Sequence, residues 1–359
     1  MTAVAERERV APGRGTDRRG YIAAAWAAGY GTMALVWTVT GHGYPFGRND
    51  PGGEVSLLHP LPPGVGAPLF AAVLLAAAVA ALATAGRQSA GRAVRAVVLG
   101  YGWAVAVALL IVVPDARLLT LAGYAPMLVL GAPFGWPPVD YSTVFTWPLA
   151  NRALCFLGGL LLVRALLAWQ FRTAGGCAAC GRRDGSGAWT TAASAARWGR
   201  WAVGVAAVIP LLYAVTRFAW LAGIPLGMSR ANLDDLRHSG AVWAGAGLGA
   251  FAVVGALLTL GLARRWGETF PRWTPGLGGR RVPVGLAVVP AALVALLVTS
   301  ASLALLVAPG FRDLLTGGGD WAGTAPILLW PAWGPALGAA ALAYHLRRRG
   351  ACRRCGRGD

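Results

Sequence analysis

Ala168-Trp169-Gln170-Phe171-Arg172 closes a long apolar stretch, and Cys177-Ala178-Ala179-Cys180-Gly181-Arg182 follows a few residues later. The arrangement returns near the end of the chain, as Ala343-Tyr344-His345-Leu346-Arg347 followed by Cys352-Arg353-Arg354-Cys355-Gly356-Arg357. An apolar segment of about twenty residues is what a helix needs to cross a bilayer. Each copy therefore reads as a membrane helix ending in arginine and closed by a C-x-x-C-G-R hexapeptide. Written twice, the pattern predicts an all-α, polytopic helical membrane protein made of two related units.

Composition points the same way. Across 359 residues, 56% are hydrophobic and 13% charged, with a mean hydropathy of +0.56. Soluble domains hold about a quarter charged residues. Apolar runs predict eight spans, over residues 21–40, 68–85, 94–113, 149–171, 201–223, 241–263, 284–307 and 327–346. Residues 1–20 are polar and arginine-bearing, with no apolar core or small-residue cleavage site, so the run from Tyr21 reads as a retained span.

The formal charge of +18 comes from arginine alone, because none of the 32 Lys+Arg residues is lysine. Most of them fall in alternate connections, in groups such as Arg7/Arg9/Arg14, Arg264/Arg265/Arg272 and Arg347/Arg348/Arg349. The opposite connections hold Asp50, Glu54, Asp115, Asp140, Asp234, Asp235, Asp313 and Asp320. By the positive-inside rule both termini and both cysteine pairs are expected in the cytoplasm, at the plasma membrane. The charge is thus read as topology; the expected partner is the lipid bilayer, not nucleic acid.

The repetition extends beyond the cysteines. Gly91-Arg92-Ala93-Val94 has a counterpart in Gly279-Arg280-Arg281-Val282, and Tyr30 and Trp37 share a spacing with Tyr213 and Trp220. Four spans per copy predict two parallel four-helix repeats. The chain divides into a basic tail (1–20), a first repeat (21–183), a small polar linker (184–200) and a second repeat (201–359). The first repeat is longer by an insertion near residues 131–159, and the apolar run 125–130 is expected as an external loop packed on helix ends, ahead of a helix continuation or a re-entrant segment. Trp26, Trp169, Trp201, Trp220 and Trp266 fall near span ends, as interfacial belt residues do.

Cys177, Cys180, Cys352 and Cys355 are the candidate metal ligands. Redox C-x-x-C pairs sit at helix N-termini, where the dipole favours the thiolate; these follow helix C-termini. A glycine after the second cysteine accepts positive φ and lets backbone N–H groups face the sulfurs. The hexapeptides resemble zinc-ribbon knuckles, and four thiolates are the set that structural zinc prefers. A joint zinc site stapling the repeats is the first expectation. Arg182, Arg183, Arg353 and Arg354 would offset its charge. Cys155, alone in a span, reads as a small core hydrophobe.

Other candidates stand beside plain alternatives. Arg164 and Arg217 lie inside spans, where snorkelling to the nearer interface accounts for them. His42, Asp50, Glu54 and His59, and in the second copy Asp234, Asp235 and His238, are read as solvated loop groups without metal-ligand spacing. Gly29, Gly31, Gly245, Gly247 and Gly249 are small-residue packing faces. No P-loop, nucleophile elbow or dinucleotide fingerprint is present.

Gly43-Tyr44-Pro45-Phe46-Gly47, Trp266-Gly267-Glu268-Thr269-Phe270-Pro271-Arg272-Trp273 and the two cysteine hexapeptides together resemble a group of uncharacterised integral membrane proteins of high-GC actinomycetes. The resemblance implies a membrane location and no particular activity. The expectation is a non-enzymatic protein, permease-like or a scaffold or sensor. The alternative is a membrane thiol–disulfide oxidoreductase using the two cysteine pairs.

Overall fold

A computed structural model describes residues 17–86, 91–134, 140–183, 188–308, 311 and 321–358. Parts of the expected arginine tail, of the linker and of the second-copy loop with Asp313 and Asp320 lie outside the described residues. The helices are α1 Arg18–Thr40, α2 Pro63–Ala85, α3 Arg92–Val107, α4 Ala116–Gly131, α5 Tyr141–Val144 and α6 Trp147–Thr173. They continue with α7 Ala192–Leu221, α8 Arg230–His238, α9 Ala241–Gly261, α10 Val284–Leu306 and α11 Trp321–Arg348. The described residues form no strand, only an isolated bridge between Thr269 and Arg281. Among the described residues eight helices are long and apolar enough to span a membrane, and they coincide with the eight expected runs.

Local chemistry sets the helix ends. The Asp17 carboxylate accepts from the Arg19 N–H at 3.1 Å, and Gly41, at φ 71°, closes the other end of α1 by donating to the Trp37 carbonyl. Pro63 starts α2, where its missing N–H has no intrahelical partner to lose. A π turn, Ala108–Val112, widens α3 just before Pro114, which lacks the N–H to continue the ladder. Thr191 caps α7 by accepting from the Ser194 N–H. That helix therefore begins inside the stretch 184–200 read as linker.

In the first half α1 packs along α2, and α6 lies against α1, α2 and α3. In the second half α7 packs against α9 and α11, and α10 against α11. Close approach follows small residues: a Cβ at Gly20 would meet Ala85 at 2.7 Å, and one at Gly199 would meet Ala343 at 2.5 Å. Of the expected packing glycines, Gly31 faces Leu75 and Gly249 faces Arg217, whereas Gly29 and Gly247 face open space. The halves meet where α10 lies on α4 and the π turn, through Leu110, Leu118, Leu149, Phe156 and Leu297.

Two expectations change. The run 125–130 is not a loop but the last turns of α4, whose Leu118 end is drawn into that shared apolar cluster. Trp169 and Trp220 are core residues, 1% and 4% exposed, not belt residues; Trp201 and Trp266 are exposed. Cys155 is fully buried among Tyr30, Leu162 and Leu166, as a small hydrophobe.

Candidate metal centre

The cysteine segments follow directly from how α6 and α11 end. Past Thr173 and Arg348 the chain makes the same turn twice. The Gly181 N–H donates to the Cys177 carbonyl at 2.7 Å, and the Gly356 N–H to the Cys352 carbonyl at 2.8 Å. The Cys177 N–H donates to the Arg182 carbonyl at 3.0 Å, and the Cys352 N–H to the Arg357 carbonyl at 2.9 Å. Both turns need positive φ, 71° at Gly181 and 69° at Gly356. At Gly181 a Cβ would also strike the Phe171 ring at 2.9 Å, so glycine is required there twice over.

The two turns face each other across the halves. The Sγ atoms of Cys177, Cys180, Cys352 and Cys355 lie within 4.8 Å of one another. Cys180 and Cys355, 175 residues apart, have sulfurs 3.7 Å apart. Four sulfurs at about 2.3 Å from a tetrahedral zinc are about 3.8 Å apart, whereas a disulfide brings two within about 2.05 Å. The spacing fits a shared cation and is too wide for a disulfide.

Electrostatics at the sulfurs differ within each turn. Burial pushes the Cys177 thiol up, but the N–H groups of Ala179 and Cys180 outweigh it and hold it below its ordinary value. Cys352 is drawn down to about 6, chiefly by the N–H groups of Arg354 and Cys355. Cys180 is pushed up to about 12, by burial first and then by the cysteines around it. One cation among the sulfurs would remove that conflict, because thiolates bind metal and thiols do not.

A second feature of the centre is absent from the expectations. Arg182, 5% exposed, reaches beyond its own turn. It crosses to the other half and donates to the carbonyls of Gly350 at 2.9 Å, Arg357 at 3.0 Å and Arg349 at 3.2 Å. Arg357, its equivalent in the other hexapeptide, donates back to the Arg182 carbonyl at 3.3 Å. The final arginine of each C-x-x-C-G-R thus fastens the partner turn. Its recurrence in both copies was the available signal.

At the other end of α6 lies a cluster that the sequence reading missed. Asp50 was taken as solvated, yet it is 4% exposed, and Asp115 and Arg152 are fully buried. Arg152 Nη2 is 2.7 Å from Asp50 Oδ2, and its Nε is 2.8 Å from Asp115 Oδ2. Arg117 Nη2 lies 2.7 Å from Asp115 Oδ2, and Nη1 donates to Asp50 Oδ1 at 3.0 Å. Burial raises the Asp50 carboxyl, but the two guanidinium groups outweigh it and hold it below the usual carboxylate range. Two arginines and two aspartates leave no net charge.

The loop acids and histidines gather no metal site among the described residues. Among the described residues the four cysteines are the one group of His, Cys, Asp or Glu close enough to hold a metal ion. Arg217 stacks between the Tyr213 and Trp220 rings, at 4.5 and 4.2 Å from their centroids. Neither a protein-family profile, nor a curated protein, nor a solved structure matches the chain.

Proposed function

We propose that this is a non-enzymatic membrane protein, a scaffold or sensor built from two parallel four-helix repeats and stapled at its cytoplasmic end by structural zinc. Cys177, Cys180, Cys352 and Cys355 would be the ligands. The observation behind the reading is the convergence of four sulfurs from two distant turns at a spacing suited to one tetrahedral cation. The recurrence of α1–α2 and α1–α6 contacts as α7–α9 and α7–α11 supports the repeat. The glycine turns and the N–H groups facing the sulfurs suit thiolate ligands, and both pairs lie beyond helix C-termini, not at the helix N-termini where redox pairs sit.

A scaffold or sensor is favoured over a permease by the second contact between the halves. Ser300 on α10 donates to the Pro114 carbonyl at 2.8 Å, next to Asp115 and remote from the cysteines. Halves tied at both ends resist the rocking that alternating access requires.

Metal content of the detergent-purified protein tests the reading, with wild type compared against Cys177→Ser and Cys352→Ser. About one zinc per chain, lost in either variant, is expected. Protein without metal, whose cysteines form and break a disulfide reversibly, would overturn the staple and make thiol–disulfide exchange the function.

A further inference from the structure

We propose that the recess between α1, α6 and the first cysteine turn binds the phosphate of an anionic phospholipid headgroup. The recess has a volume of about 170 Å³ and is lined by Arg19, Arg164, Leu167, Phe171 and Ala178, among others. Among the described residues no carboxylate lines it. Arg19 is fixed there by donating from Nη1 to the Ala178 carbonyl at 3.2 Å.

Arg164 makes the case. Three arginines sit on α6, and two are neutralised: Arg152 by Asp50 and Asp115, and Arg172 by Asp17 at 2.6 Å. Arg164 is exposed and has no ion-pair or hydrogen-bond partner among the described residues. A guanidinium on an apolar helix is costly unless it meets water or an anion. Its side chain shares the recess with Arg19, at the end of the bundle where the arginine-rich segments gather. Two guanidinium groups suit a phosphate, which they bind through paired N–H donors. Leu167 and Phe171 give an apolar floor, and Tyr21 and Ile22 beside Arg19 are exposed. A phosphate and its acyl chains match that division; basic pockets between membrane helices commonly take such headgroups.

The recess wall includes Ala178 and Ala179, the residues between Cys177 and Cys180. A bound headgroup would therefore brace the first turn without touching a sulfur.

The test uses the full chain in detergent, with phosphatidylglycerol, phosphatidylcholine or inorganic phosphate added, read by native mass spectrometry and thermal shift. Wild type is expected to retain phosphatidylglycerol roughly thirtyfold better than phosphatidylcholine, the ratio that two arginines at about 1 kcal/mol each produce. Arg164→Gln should lose most of that preference while keeping the wild-type metal content and the wild-type melting temperature in phosphatidylcholine. If Arg164→Gln fails to fold, Arg19→Gln is measured in the same way. Equal retention of the two lipids by wild type, or an unchanged preference in the variants, overturns the proposal. An equal thermal shift with inorganic phosphate alone assigns the recess to free phosphate and overturns the lipid.

Discussion

At one end of the bundle, Cys177, Cys180, Cys352 and Cys355 come from both halves and stand partly open to solvent. At the other end of α6, Asp50, Asp115, Arg117 and Arg152 all belong to the first half, and three of the four are sealed from water. Both clusters fix loops to helix ends. The cysteines do so with soft ligands that need a cation, the charged residues with a closed set that needs nothing more. Removing a component should therefore have different consequences. An ion set without net charge is damaged by losing any one member, whereas a ligand set is damaged by losing its metal.

The largest effect is expected from Arg152→Met. It leaves Asp50 and Asp115 buried with only Arg117 between them, and breaking a buried pair costs about 3–5 kcal/mol. Thermal unfolding in detergent should register that loss, while metal content stays at the wild-type level because the cysteine turns lie at the far end of α6. Adding Asp115→Leu to Arg152→Met should recover much of the stability, since an apolar pair has no stranded charge. If the double variant is as unstable as the sum of its parts, the four residues do not act as one set.

A smaller effect is expected at the cysteine end. Arg182→Ala removes three hydrogen bonds to the second turn but no ligand. Groups that orient metal ligands contribute about 10–100-fold to metal affinity. Chelator-driven zinc release from Arg182→Ala should be faster within that range, with little change in melting temperature. Arg357→Ala, whose return bond to the Arg182 carbonyl is the longer one at 3.3 Å, should change release less. Equal effects of the two variants would show that the clasp is not asymmetric.

The difference between the ends also explains what the sequence made legible. Cys177, Cys180, Cys352 and Cys355 were readable because a knuckle is local: cysteines, glycine and arginine lie within six residues, and the pattern recurs. The eight spans were readable because bilayer thickness fixes helix length. Asp50, Asp115, Arg117 and Arg152 share no motif, since their meeting depends on a loop folding back onto two helix ends. Asp115 looked like one more loop acid, and Arg152, at the acidic-loop end of a span, stood apart from the arginine-rich connections with no motif to mark its partners. Trp169 and Trp220 misled for a related reason. Position near a span end suggests a belt, but which face of the helix a residue occupies decides its burial. The helix over residues 125–130 was lost to a length rule, because six apolar residues are too few for a span but enough to extend α4.

Acid separates the ends most finely. The folded Asp50 carboxyl lies below its unfolded value of about 3.9, so its stabilisation is fully present above that value. It is lost as pH falls through the folded value. Asp50→Asn lacks the charge at every pH. The gap in melting temperature between wild type and Asp50→Asn should therefore be constant from pH 7 to about 5 and close below about 3.9. Zinc release on acidification would obscure this if both proteins held metal, so each is measured after chelation at neutral pH. A gap that closes already between pH 7 and 5 would mean that Asp50 is not held down by Arg117 and Arg152, and the charged end would then be as sensitive to mild acid as the thiolate end.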